Sequence, residues 1–110
     1  MVSSGARVPH IYESIWFAVQ EIPAGSVATY GDIAAAARAS NPRHVAQALK
    51  AAPPGLGLPW HRVVAAGGRI ALPGDAGVEQ RVRLEAEGVS FGGKRVRIEI
   101  HRAKLTEPRP

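Results

Sequence analysis

The chain of 110 residues contains no cysteine. That absence removes disulfides, a thiolate nucleophile and any Cys-ligated metal site. Four histidines, His10, His44, His61 and His101, stand too far apart for zinc-ligand spacing, so neither a metal nor another cofactor is expected. No apolar run approaches the roughly 18 residues of a membrane helix. The N-terminus lacks the apolar centre of a signal peptide. The chain is therefore expected in the cytoplasm, nucleoid-associated if bacterial, with no membrane partner. There are no repeats and no low-complexity segment, and one domain is expected over residues 1–110. A chain of this size buries roughly two-thirds of its unfolded surface, enough for a single core.

Acidic residues are outnumbered, nine against fourteen Lys and Arg, which leaves a net charge of +5 and a pI near 10.5. A basic balance fits an anionic partner, nucleic acid first. The excess is local. Residues 1–93 carry eight Lys/Arg against seven Asp/Glu, and residues 94–110 carry six against two. That basic C-terminal strip reads either as a phosphate contact or as a solubilising tail.

Met1 to Arg7 is small and polar and is expected to fray. From Val8 a helical period begins, with Ile11, Ile15, Ala18 and Ile22 on one stripe and Trp16 beside it. Pro23 stops it. Thr29-Tyr30-Gly31-Asp32 has the form of a capping box. The helix that follows runs through Ile33 to Arg38 and puts Tyr30 on its first turn, where free N–H groups and the positive dipole end attract phosphate. The plain alternative is a Tyr packed at a helix start. Asn41 suits an N-cap and Pro42 the first helical position. A second helix then runs from Arg43 to about Ala52, before Pro53-Pro54. Val45 and Leu49 should face inward, and Arg43, Ala46, Gln47 and Lys50 share the other face. Two short helices joined by a brief turn make a helix-turn-helix arrangement. Arg and Lys at the flanks could clamp phosphates, while the alanines let the helix approach closely.

Leu58-Pro59-Trp60-His61-Arg62-Val63-Val64 sets an aromatic platform, a group that can change charge and a fixed cation at the mouth of a strand. Trp60 can equally be a core residue and Arg62 a solvated charge. A hairpin is expected between Val63–Ala66 and Arg69–Leu72 across Gly67-Gly68. Asp75 can cap a last helix that carries Val78, Val82 and Ala86 on one face and ends at Gly88. Val89 to Ile100, with alternating Val96, Ile98 and Ile100, reads as a terminal strand or small wing. The expected fold is mainly α with a small β-hairpin, a winged helix-turn-helix-like domain.

Four motifs in order carry a family resemblance: Val27–Ala34 (VATYGDIA), Asn41–Val45 (NPRHV), Pro59–Val64 (PWHRVV) and Glu85–Gly88 (EAEG). Over about residues 8–90 the chain resembles the C-terminal, DNA-binding domain of O6-alkylguanine-DNA alkyltransferases. The active enzymes have Pro-Cys-His-Arg-Val, and here Trp60 stands where their Cys would be. That substitution marks the alkyltransferase-like proteins, which bind and transfer nothing.

The resemblance implies a role for each matching residue. Tyr30 presses on the target phosphate and rotates the nucleotide out of the duplex. Arg43 fills the gap that it leaves. Ala46, Gln47 and Lys50 lie on the recognition helix, which enters the minor groove in this family. Trp60 lines a pocket for the flipped alkylguanine, with Val63 beside it. His61 and Glu87 match the pair that activates the thiol in the enzymes, and Arg62 the motif arginine, taken as mainly structural. The implied function is a non-enzymatic damage sensor with no catalytic residue. It binds double-stranded DNA containing O6-alkylguanine as a monomer, and UvrA-type nucleotide excision repair proteins receive the marked DNA. Ala52 replaces an Asn of many active enzymes. Pro73 cannot supply the Arg that some alkyltransferase-like proteins place near the alkyl group, which leaves the alkyl preference open. The competing reading is a winged-helix transcription regulator, for which Trp60-His61-Arg62 would have no purpose.

Overall fold

The computed structural model describes residues 9–105. The expectations for Met1 to Arg7, for a helix start at Val8 and for the last tail residues, Arg109 included, lie outside the described residues.

Helix α1 spans His10–Gln20. It buries Ile15, Ala18 and Val19, and Ile22 is buried just past its end. The expected stripe is therefore the core face, with Val19 added and Ile11 only partly covered. Trp16 serves packing: its Nε1 donates to the Ala48 carbonyl at 2.7 Å and ties α1 to the second helix of the pair.

Helix α2 spans Tyr30–Ala37 and begins with the expected capping box. Thr29 Oγ1 accepts from the Asp32 amide at 3.0 Å, and Asp32 Oδ2 accepts from the Thr29 amide at 3.1 Å. Ile33, Ala34, Ala36 and Ala37 are buried; the three alanines let α1 lie close. Helix α3 spans Arg43–Ala51. The Asn41 side chain accepts from the Arg43 amide at 2.8 Å and satisfies one of the free donors of the first turn. Helices α1, α2 and α3 pack on one another, and Val45 and Ala48 complete the larger core cluster.

The sheet differs from the expected hairpin. Strand β2, Val63–Val64, pairs in parallel with strand β1, Ala28–Thr29, in the register Ala28↔Val63 and Thr29↔Val64. Gly67 and Gly68 do turn the chain with positive φ, and the Ala65 amide reaches the Arg69 carbonyl at 2.7 Å. No ladder continues to Leu72; Arg69 instead bridges Arg95. The reason is burial. Val63 and Val64 are both covered, so this strand belongs inside, against β1, and not on an exposed two-stranded ribbon. Gly68 is required at its turn, since a Cβ there would sit 2.5 Å from the Val96 carbonyl.

Helix α4 spans Gly74–Ala86. Two expectations fail here. Asp75 sits in the first turn, where its charge favours the dipole, but no side chain caps the helix. Val78 and Val82, 64% and 58% exposed, point outward with Ala86, while Gln80 and Leu84 are buried. Gln80 supplies the reason: its Nε2 donates to the carbonyls of His61 and Val63 at 3.0 and 2.7 Å. Those buried carbonyls need donors, so α4 turns its Gln80–Leu84 side toward them.

The small hairpin of the fold lies later. Strands β3, Phe91–Gly92, and β4, Arg95–Val96, pair antiparallel around Gly93-Lys94 as the expected wing. Ile98–His101 is a single helical turn, α5, where alternation suggested strand, and Ile100 is exposed. Leu84, Val89 and Val96 close a second core with Val27 and Val64. Beyond α5 the chain runs beside β1: the Val27 amide donates to the His101 carbonyl and the Ala103 amide to the Val27 carbonyl, at 2.9 and 2.8 Å. Arg102 clasps Asp32 through two hydrogen bonds of 2.9 Å. The result is a mainly helical, winged helix-turn-helix domain. Among the described residues no helix is long and apolar enough to cross a membrane.

Candidate nucleic-acid interface

Parallel pairing of β1 with β2 brings two distant stretches side by side. Tyr30 follows β1, and Trp60 with its two neighbours precedes β2. Helix α3 borders both. An open cavity of about 220 Å³ results, lined by Tyr30, Ala46, Leu49, Lys50, Trp60, Val63 and Leu72. Ala46 and Lys50 are one helical turn apart, so the alanine leaves room where the lysine supplies charge. Tyr30 is half-buried; burial raises its pKa above the usual 10.0, so it is a neutral phenol at physiological pH.

Trp60 enters through Pro59 on a tight turn. The Arg62 amide donates to the Pro59 carbonyl at 3.0 Å. The indole meets the His61 ring edge-on, with centroids 6.1 Å apart. It also lines a second cavity, of about 450 Å³, whose wall includes Arg83. The Arg83 guanidinium carbon lies 5.6 Å from the Trp60 ring centroid. Trp60 thus lines two open spaces and is not sealed in the core.

Behind the indole, Glu87 anchors the turn from the C-terminal end of α4. Its carboxylate accepts from Arg62 Nε at 3.0 Å and Nη2 at 2.7 Å. It also contacts His61 Nε2 at 2.9 Å and the Gly25 amide at 3.4 Å. Arg62 Nη1 donates to the Ile22 carbonyl at 2.9 Å. These bonds, Arg62's first and His61's after it, outweigh the opposing effect of burial and lower the Glu87 carboxyl to a pKa of about 2. An ionised carboxylate only accepts, so His61 Nε2 carries the proton of that contact. His61 Nδ1 is buried and has no hydrogen-bond partner.

The ten residues singled out from the sequence divide into three groups. Tyr30, Ala46, Lys50, Trp60 and Val63 meet in one cavity. Arg43 and Gln47 lie on the exposed side of α3, outside its lining. His61, Arg62 and Glu87, expected in the pocket, form the supporting network behind it and do not line it. The physical reason is that a carboxylate with a guanidinium and an imidazole needs every partner it has, and it finds them inside the fold. Leu49 and Leu72 line the cavity and Gln80 holds the turn; none was singled out. Gln80, Leu84 and Glu87 share one helical face, and that spacing was the available signal. Among the described residues no group of His, Asp and Glu could hold a metal.

Comparison with known proteins agrees on one lineage. A family model described as "6-O-methylguanine DNA methyltransferase, DNA binding domain" matches residues 10–89. The chain is 45% identical over 82 residues to the DNA base-flipping protein of Escherichia coli (strain K12). That match covers 74% of this chain and 64% of the relative, so just under two-thirds of that protein's length is spanned. It is 43% identical over 88 residues to Alkyltransferase-like protein 1 of Schizosaccharomyces pombe, covering 77% of this chain and 82% of the relative. The solved structure of S. pombe Atl1 in complex with damaged DNA containing O6-carboxymethylguanine superposes with a TM-score of 0.72 at 35% identity, over 89% of this chain and 98% of that one.

Proposed function

This chain belongs to the alkyltransferase-like family, and on that footing we propose that it is a non-enzymatic sensor of O6-alkylguanine in duplex DNA. Helix α3 enters the minor groove with Ala46, Gln47 and Lys50. Tyr30 presses on the phosphate of the damaged nucleotide, Arg43 fills the vacated stack, and the extruded base lies against Trp60. The observation that carries this reading is the cavity in which Trp60, Tyr30, Ala46 and Lys50 meet. The likeness to a base-flipping protein and to a protein held on damaged DNA supports it.

The energetics are favourable. Extruding a base costs a few kcal/mol, and least where pairing is already weak. An O6-alkyl group removes the N1 proton of guanine and so weakens its pair with cytosine. Stacking on an aromatic returns roughly 1–3 kcal/mol per base, and Trp60 is the aromatic in place.

Dealkylation in this family is an in-line attack by a thiolate on the carbon bonded to the guanine oxygen. The chain has no Cys, and the indole of Trp60 is no substitute. His61 and Glu87 keep the geometry of an activating pair with nothing to activate, and their task here is to hold the turn. Binding without turnover leaves the protein on the lesion, as a monomer in the cytoplasm. From there UvrA-type excision repair proteins take over the marked DNA.

Fluorescence anisotropy with duplexes carrying one O6-methylguanine or an unmodified guanine tests the proposal. The lesion should be preferred whatever the flanking sequence, which a sequence-reading regulator would not do. Trp60→Ala should weaken lesion binding by about 1–3 kcal/mol and leave undamaged-duplex affinity nearly intact. Equal losses on both duplexes, or radiolabel passing from methylated DNA to the protein, would refute it.

A further inference from the structure

The second cavity that Trp60 lines plays no part in the function proposed above. Leu49 and Trp60 line both cavities. The smaller one, about 220 Å³, suits a flat ring against the indole. The larger is about 450 Å³. Its lining includes the apolar Ala52, Pro53 and Leu58 and, among the described residues, one charged side chain, Arg83. We propose that this second cavity receives the O6 substituent of the flipped guanine, and that Arg83 makes it selective for substituents ending in an anion, such as a carboxymethyl group. This inference rests on the lesion-binding function proposed above and names its substrate class.

Three observations support it. The guanidinium carbon of Arg83 lies 5.6 Å from the centroid of the indole ring, within reach of a cation–π contact, so Trp60 helps keep the cation over the cavity. Arg83's present partner is Glu79, one turn back on α4. Nε donates to Glu79 Oε2 at 2.8 Å and Nη2 lies 2.6 Å from the same oxygen. The Arg83 and Glu79 side chains are 49% and 52% exposed, and an exposed helical pair of this kind contributes little to stability. A ligand carboxylate can therefore take the guanidinium at small cost. That exchange forms charge-assisted hydrogen bonds in the two-pronged geometry that guanidinium and carboxylate share. Finally, the apolar residues that line the same cavity suit the methylene that links the carboxylate to O6. A neutral alkyl group fills the same space without displacing Glu79.

The test compares duplexes of one sequence carrying O6-carboxymethylguanine, its neutral amide isostere O6-carbamoylmethylguanine, O6-methylguanine or plain guanine. The native protein should bind the carboxymethyl duplex about fivefold more tightly than the amide, as a hydrogen bond to a charged group exceeds one to a neutral group. Arg83→Leu should bring that ratio to one, Arg83→Lys should retain part of it, and Glu79→Gln should raise it. A native ratio of one, or a ratio untouched by Arg83→Leu, overturns the inference. If O6-methylguanine is still preferred over guanine in that case, the sensor function stands and only the anionic selectivity falls. If no modified duplex is preferred over guanine, both fall together.

Discussion

Replacing Glu87 with Gln should destabilise the domain, and the loss should depend on pH in a set direction. The carboxylate takes two hydrogen bonds from Arg62, one from His61 and a longer one from the Gly25 amide. Glutamine keeps the shape but removes the charge and one acceptor. A carboxyl lowered from 4.5 to about 2, at about 1.4 kcal/mol per pH unit, sets a ceiling of about 3 kcal/mol. The Glu87 and Arg62 side chains are 19% and 18% exposed, so water screens part of this, and the expected loss at neutral pH is about 2 kcal/mol. Because the folded pKa is depressed, this contribution is complete above the unfolded value of 4.5 and is lost as pH falls toward about 2. Urea unfolding of both proteins from neutral pH downward measures the gap. It should be constant down to about pH 5 and then close as the native carboxyl protonates. A gap that persists unchanged into strong acid would mean that the charge of Glu87 does not hold the Trp60 turn.

With 2-aminopurine beside the lesion, the native protein should raise fluorescence as the base leaves the stack, and Arg43→Ala and Tyr30→Ala should each blunt the rise. An unchanged signal in both variants counts against their flipping roles. Lesion and plain-duplex affinities should both fall steeply with salt, and Lys50→Ala should reduce the slope of log K against log salt by about 1; an unaltered slope would remove Lys50 from the phosphate contacts. Val82→Thr should change stability by less than about 0.5 kcal/mol, whereas Leu84→Ala should cost about 2–5 kcal/mol. The reverse order in chemical denaturation would mean that α4 faces the other way.

How much of the fold is legible in the sequence follows the range of each interaction. The capping box at Thr29 and Asp32 and the Asn41 cap involve partners two or three residues apart, so local spelling was enough. Helix α3 offered one inward and one outward face, and Ala46, Gln47 and Lys50 lie where that division put them. Helix α4 was harder, because Val78 with Val82 and Gln80 with Leu84 both satisfy a helical period. Which pair turned inward depended on the bare carbonyls of His61 and Val63, nearly twenty residues upstream, and on a glutamine able to donate to both. Glu87, Arg62 and His61 were recognisable as a set, but their retreat behind the cavity was not.

Sequence alone determined that no thiol chemistry is available, that an indole stands in the seat of the nucleophile, and that two capped helices form a helix-turn-helix pair. Only the tertiary structure decided that Val63-Val64 pairs with Ala28-Thr29. That pairing joins segments about thirty-five residues apart, and through it Tyr30 and Trp60 come to share a cavity. A strand's spelling records that it wants neighbours, while the choice of neighbour belongs to the competition among all the surfaces the folded chain must cover.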